Sequence, residues 1–435
     1  MRFRAVKGMN DILPDEMERW HRLEGAFRRA VGLHGYQEAR VPVVEPTGLF
    51  VRSIGETTDV VDKEMYTFER HSESLTLRPE GTAGTVRAYV EHAIHAREPV
   101  TRWYYIGPMF RAERPQRGRY RQFYQAGCEL FGDPGPTADA EMIDMLHGLF
   151  RGLGIPELCV AINSMGGPET RTRYQAELLE YFRARASSLS EHARGRLEAN
   201  PLRILDSKDP RDIQASEEAP RLVDYLTHED RDHWDNLLQA LGSLGVPYQV
   251  DPRLVRGLDY YTRTLFEVRS DFGQVGSQNA LGGGGRYDGL VAELGGPSVP
   301  AIGFALGLER ILLALPEKRP DPEPFCFLAP VGPAAQKTAL RLAREIRRLG
   351  QRAELDGRGR SLKAMLRRAD ALGARLVAVI GDAELDRDVV AIKDLALHAQ
   401  QEVPTANVPA HVVQKLSLAR AESRPPPPPP SGELG

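Results

Sequence analysis

The segment GPMFRAERPQRGRYRQFYQAGCELFG, residues 107–132, constrains the fold more than any other. A strand-like run ending at Phe110 and Arg111 leads into a polar loop with Arg114, Arg117, Arg119 and Arg121, and a second strand-like run follows. The pattern predicts a hairpin with an arginine-rich loop. Guanidinium groups are always charged and fork-shaped, which suits phosphate oxygens. The loop could hold a nucleoside triphosphate or a polynucleotide end, or be a solvated turn. Phe123, alternating with the arginines, could stack on a base. A phosphate loop with GK[ST] is absent, and GGGGRYDGL at 282–290 is a glycine run rather than that motif.

Around the hairpin the chain is long enough for several cores. Its 435 residues suggest about three domains. With 41% hydrophobic and 27% charged residues the balance is that of an ordinary soluble protein. Apolar runs such as RLVAVIG at 375–381 are far too short to span a bilayer, and MRFRAVKG lacks an apolar signal region. Cys128, Cys159 and Cys326 are odd in number and far apart, fitting neither a disulfide framework nor a zinc site. A reducing compartment, the cytoplasm, is expected. The net charge of −3 requires any nucleic-acid surface to be a local patch.

Apolar Trp20, Leu23, Phe27, Ala30 and Val31 predict a helix over 15–34. YQEARVPVVEP then reads as an extended strand, with Pro42 at an edge or bulge. Short strand-like runs (MYTF, LTLR, RWYYIG, YRQFYQAGCELF) fill 65–131, with a helical stretch at 79–95. Met142, Leu146, Leu149 and Leu153 predict a helix over 137–153 that stops at Gly154. From 166 to 250 the chain becomes polar and helical, as an inserted module would, and strand signals return at 251–310. After LPEKRPDPEP at 315–324 an alternating α/β unit is expected: FCFLAPVG, a helix to Leu349, QRAEL, a Ser361-capped helix to Leu372, RLVAVIG and VVAIK. Residues 341–375 carry eleven Arg and Lys against four Asp and Glu, either a basic patch or solvated helix faces. The tail from Arg424, with six successive prolines, cannot bury a core and reads as disordered or polyproline-like.

Three further candidates stand out. In GFALGLERI at 303–311, Gly303 and Gly307 would let a helix pack closely on a sheet, with Arg310 emerging beyond it. Glu80 in LTLRPEGTAG and Glu129 in QAGCELFG are two carboxylates near apolar strands. They could form a general acid/base pair, accept from a cationic amino group and a ring N–H, or be structural ion-pair partners.

In this order these segments resemble the class II aminoacyl-tRNA synthetases. The helix with the strand around Pro42 resembles the first class signature, residues 107–132 the second and 303–311 the third. LVRGLDYYTRTLFE at 254–267 and GGGGRYDGL resemble the histidyl family specifically, and the likeness runs from KGMNDILP at 7–14 through TLRPEGTAGTVRA and NPLRILDSK to the C-terminal unit.

The resemblance implies an α+β catalytic domain, an antiparallel sheet flanked by helices, over 1–165 and 251–315. It also implies a helical insertion at 166–250, a linker at 316–324, an anticodon-binding α/β domain at 325–418 and a tail at 419–435. Carried over by position, Arg111 would contact the α-phosphate of ATP, Glu113 the adenine edge and Arg119 the distal phosphates, with Phe123 and Arg310 sandwiching the ring. Glu80, Thr82 and Gln125 would hold the histidine α-amino group; Glu129 and Tyr261 would bond the imidazole nitrogens, with Tyr260 and Tyr287 lining the pocket. Arg256 would sit near the histidine carboxylate and the α-phosphate. Arg114, Gln116 and Arg117 would read the 5′ end of tRNA(His), and the basic C-terminal unit, with Arg358, Arg360, Lys363 and Arg367, would meet the anticodon. Mg²⁺ and a homodimer are implied as well; metal ligands are not. One departure is Tyr124, where relatives often carry histidine. The rival reading is the non-catalytic regulatory subunit of ATP-phosphoribosyltransferase, which typically lacks the C-terminal domain and loses catalytic residues.

Overall fold

The computed structural model describes residues 3–55, 58, 60–198, 200–255, 258, 260–272, 279–316 and 323–423, without the side chains of 422 and 423. The chain divides into two compact units, 1–317 and 318–435. The proline tail and most of the expected linker therefore lie outside the described residues.

In the first unit the strands are β1 (Gln37–Glu38), β2 (Val44–Pro46), β3 (Tyr66–Arg70), β4 (Glu73–Leu77), β5 (Thr101–Phe110), β6 (Gln122–Phe131), β7 (Leu158–Ser164), β8 (Tyr248–Val250), β9 (Thr262–Ser270), β10 (Ala280–Arg286) and β11 (Ala301–Gly307). Eight of them form one sheet in the order β1-β5-β6-β11-β10-β9-β7-β8, while β2-β4-β3 form a small second sheet. The expected antiparallel sheet is present from β5 to β7 in that order, but the outermost pairs, β1 with β5 and β7 with β8, are parallel. The sheet is thus mixed at its two edges.

Alternate side chains of a strand leave on opposite faces, and they enter two different cores here. Phe266 and Val268 of β9 join Trp20, Leu23, Phe27 and Val31 of the helix Pro14–Leu33, as that helix's apolar spacing predicts. The helices Pro136–Gly152 and His228–Leu244 complete this layer. Leu265 instead joins Val86 and Tyr89 of the helix Thr82–Glu91 and Tyr174, Leu178 and Phe182 of Pro168–Arg183. The stretch 166–250 is mainly helical, as expected. It nevertheless supplies β8 to the sheet and Trp234, Leu237 and Leu241 to the first core.

The extended run predicted around Pro42 is split in two. β1 pairs with β5, β2 pairs with β4, and the turn between them is filled by buried Arg78. Its Nη1 donates to Val41 O at 2.9 Å and Pro42 O at 3.4 Å, and its Nε donates to Pro108 O at 2.9 Å. A side chain thus satisfies carbonyls that a continuous ladder would have used.

The second unit holds β12 (Cys326–Pro330), β13 (Ala353–Leu355), β14 (Leu376–Ile380), β15 (Val389–Asp394) and β16 (Ala399–Pro404), in the order β13-β12-β14-β15-β16. The first three are parallel, as an alternating α/β pattern requires, and the last two antiparallel. The expected cap is present, Ser361 Oγ accepting from Ala364 N at 3.4 Å. Sequence patterning missed β16, whose burial is almost nil. All three cysteines are free. Among the described residues no helix is long and apolar enough to cross a membrane.

Candidate active site

On the face of the sheet shared with the helix Thr82–Glu91 lies a cavity of about 570 Å³. Its floor includes main chain at Gly283 and Gly307, while Gly127, Gly303 and Gly285 lie beneath the side chains of Tyr105, Glu129, and Leu265 with Tyr261. Glu129 of β6 pairs with Gly303 of β11, Gly303 with Gly285 of β10, and Gly285 with Leu265 of β9. In the row toward the hairpin, Gly127, Ala305 and Gly283 stand side by side.

One end of the cavity is cationic. Arg111 closes β5 with Nε donating to Pro79 O at 2.9 Å and its guanidinium 5.4 Å from the Phe123 ring centroid. Arg119 lies 3.3 Å from Glu113, and both line the cavity. Arg310 begins beyond β11, in the helix Leu308–Ala314. Burial, with Arg119 nearby, lowers its pKa to about 10, so it remains a cation at neutral pH. The neighbouring Glu309, not anticipated from sequence, accepts from Tyr124 N through both oxygens, at 2.9 and 3.1 Å. Burial raises it to about 7. This contact ties the helix to β6. Tyr124 itself turns to the other layer, edge-on to Trp20 at 5.3 Å, so its departure from the family pattern does not touch the cavity.

The other end is built around buried carboxyls. Glu80 accepts from Thr82 N at 2.6 Å and Ala83 N at 2.8 Å, which places its negative charge at a helix N-terminus. Burial raises its pKa nonetheless. Glu129 accepts from Thr82 Oγ1 at 2.8 Å and from the Tyr287 hydroxyl. Burial pushes it up to about 8, these two hydrogen bonds opposing the shift. Tyr260 packs edge-on to Tyr287 at 5.6 Å and lies 4.7 Å from Tyr261. Gln125 Oε1 is buried without a hydrogen-bond partner among the described residues, an acceptor that an amino group would satisfy.

Glu80, Thr82, Arg111, Glu113, Arg119, Phe123, Gln125, Tyr260, Tyr261, Tyr287 and Arg310 thus line one cavity. Arg114, Gln116 and Arg117 do not; they are exposed at the hairpin tip, which is closed by Gln116 N to Arg119 O at 3.0 Å and the reciprocal bond at 2.9 Å. Arg256 lies outside the described residues, although Val255 and Leu258 beside it line the cavity.

Gly303 requires a correction. It lies in β11, before the helix, so it does not mediate close helix packing. A Cβ there would come within 1.8 Å of Glu129 Oε2 and 2.7 Å of Cys128 O. Its role is to admit the carboxyl. Gly307 has nothing within 4 Å of such a Cβ. Gly303→Ala is expected to destabilise the fold by about 1–3 kcal/mol through overpacking and to displace Glu129. A thermal melt checks the loss; an unchanged melting temperature would contradict it.

Tyr105 was also missed, since a tyrosine in RWYYIG reads as ordinary core. Its ring occupies the space a Gly81 Cβ would take, 2.2 Å from Cε2, and burial with Glu129 and Glu80 nearby raises its hydroxyl pKa well above the usual value. Arg203, Asp206 and Lys208 of the helical stretch reach the same cavity. Among the described residues no group of three or more His, Cys, Asp or Glu could hold a metal ion.

A histidyl-tRNA synthetase family model matches residues 8–311, and an anticodon binding domain model matches 326–415. The histidine–tRNA ligase of Sorangium cellulosum (strain So ce56) is 62% identical over 404 residues, 93% of this chain and 94% of that protein. That of Syntrophotalea carbinolica is 46% identical over 417 residues, covering 95% and 99%. The crystal structure of apo S. aureus histidyl-tRNA synthetase superposes with a TM-score of 0.80 at 34% identity, over 94% of this chain and 100% of that one.

Proposed function

Because the chain belongs to the histidyl-tRNA synthetase family, we propose that this cavity joins L-histidine to tRNA(His) through a histidyl-adenylate, consuming ATP and releasing pyrophosphate and AMP. The observation that carries the reading is adjacency. A cationic slot of Arg111, Arg119 and Arg310 shares one cavity with the tyrosine-rich pocket over Glu129.

In the first step a carboxylate oxygen of histidine attacks the α-phosphorus, the bond from phosphorus to the bridging oxygen breaks, and pyrophosphate leaves. Both reactants are anionic, so fixed cations lower the barrier by offsetting charge that builds up in the transition state. Arg111 has that role, and Arg256 shares it on the family pattern. Phe123 and Arg310 hold the adenine, Glu113 its edge, and Arg119 the distal phosphates. Glu80, Thr82 and Gln125 take the α-amino group; Glu129 and Tyr261 take the ring nitrogens, with Tyr260 and Tyr287 as walls. In the second step the terminal ribose hydroxyl of tRNA attacks the activated carbonyl and AMP departs. Positioning does the rest, with no covalent enzyme intermediate.

Mg²⁺ fits as a companion of the triphosphate rather than as a resident ion, because Glu113 and Glu267 in the cavity already face Arg119 and Arg269. Arg114, Gln116 and Arg117 at the exposed tip, and the second unit with its basic helices, are the surfaces for tRNA. A cytoplasmic homodimer completes the reading.

The test is histidine-dependent ATP–pyrophosphate exchange by the purified chain. Exchange with histidine and with no other amino acid is expected. Folded protein that shows none at saturating histidine would sink the proposal in favour of the regulatory-subunit reading. Arg256→Ala is expected to abolish exchange while leaving histidine binding measurable by calorimetry.

A further inference from the structure

The start of β9 is irregular where it matters for the pocket. Gly285 of β10 faces Leu265, but the next residue, Arg286, faces Thr262. Arg263 and Thr264 are therefore extra residues, a bulge of the kind that re-aims neighbouring side chains beside active sites. Arg263 has φ +46°, a left-handed backbone that non-glycine residues adopt only under strain. Immediately before the bulge stand Tyr260 and Tyr261, both lining the cavity.

Each residue of the bulge is tied down separately. The Thr262 hydroxyl accepts from Asp288 N at 3.2 Å. Arg263 Nε lies 3.0 Å from Asp230 Oδ1, and its Nη2 pairs with Glu229, both on the helix His228–Leu244. The Thr264 hydroxyl donates to Asp139 Oδ2 at 2.5 Å. Asp139 is fully buried, bound also by the equally buried Arg286 and by His233 Nε2 at 2.8 Å. Arg286 in turn precedes Tyr287, which bonds Glu129. The helix His228–Leu244 thus grips the bulge at two points, through Asp230 directly and through His233 and Asp139.

We infer that Arg263 and Thr264 are positioning residues for amino-acid recognition, holding the bulge that presents Tyr261 to the cavity from one side while Tyr287 faces it from the other. A bulge kept only for stability could have used glycine at the left-handed position without strain. An arginine there is explained by the anchor it throws to Asp230. Neither residue lines the cavity, so their effect on substrate acts through the tyrosines.

This rests on the pocket being the histidine site, and the experiment separates the two claims. Exchange kinetics are measured on the full chain for wild type, Arg263→Ala and Thr264→Val, with histidine and ATP varied independently. The expected result is a histidine KM raised about tenfold or more in both variants, with ATP KM within about twofold. The isosteric Thr264→Val leaves Asp139 its other partners and serves if Arg263→Ala does not fold. Wild type without exchange would refute the functional reading. Active wild type with unchanged histidine KM in folded variants, or with both KM values raised together, would overturn this inference alone.

Discussion

Arg111→Ala is expected to lower kcat for histidine-dependent exchange by roughly 10²–10³, about 3–4 kcal/mol of transition-state stabilisation. The guanidinium is held by Pro79 O at 2.9 Å and lies against Phe123, so it is oriented before substrate arrives. A preformed donor of this kind helps the transition state more than the ground state, because the phosphorus oxygens gain charge as the carboxylate attacks. Histidine KM should therefore change little. Arg111→Lys should recover only a minor part, since a point charge cannot reproduce a two-pronged contact. Single-turnover kinetics and calorimetric histidine binding check the split. A kcat within threefold of wild type, in a variant with an unchanged melt, would remove Arg111 from the proposed chemistry.

The second large effect is at Glu129. Replacing its carboxyl in Glu129→Gln should lower kcat/KM for histidine about 100-fold or more, because an amide cannot share a proton with the ring and the site is left mismatched. The pH profile is more telling. Burial raises this carboxyl to about 8, so in the empty pocket it is protonated at neutral pH. Free imidazole, with a pKa of about 6.5, is unprotonated there. A complex with one proton shared between ring and carboxyl then forms with no net proton change between these values. Above about 8 it must take a proton up, and below about 6.5 it must release one. A bell-shaped kcat/KM is expected, and Glu129→Gln should lose its alkaline limb. Stability supplies an independent sign. A buried carboxyl whose pKa is raised on folding keeps its proton after the unfolded chain has lost it, so native stability falls as pH rises from the ordinary carboxyl value of 4.5 to about 8. The melting temperature of Glu129→Gln should therefore gain on wild type across that window. Parallel profiles for the two proteins would exclude the assignment.

The arginine hairpin was legible because charge and strand alternation coincide in one short segment, and the structure forms it as β5 and β6 with Arg111 at the bend. The grouping proposed as the histidine pocket came only from family likeness. Glu129, Tyr261 and Tyr287 are far apart in sequence, and no local pattern joins them. Gly303 was misread because glycines four apart resemble a helix signature, whereas the constraint on Gly303 comes from a carboxyl on the adjacent strand. Tyr105 and Glu309 escaped notice for a similar reason: each looks like ordinary core or surface until its neighbour on another element is known. The bulge at Arg263 left no sequence trace, since an arginine in a strand gives no hint of a left-handed backbone. β16 escaped because an exposed edge strand such as AQQEVP has no apolar periodicity to detect.

The main chain in the cavity floor has an evolutionary consequence. At Gly283 and Gly307 the cavity is lined by the sheet's own main chain, whose position is fixed by ladder bonds to β9 and β6. No rotamer can adjust it, and a substitution there can only make the pocket shallower. A lineage drifting toward another amino acid could not deepen this pocket from below. Any retuning would have to come from its walls, the tyrosines and the Glu129 carboxyl behind them, the groups proposed to recognise the ring. Selectivity and depth are therefore inherited together, so the pocket resists gradual change of substrate.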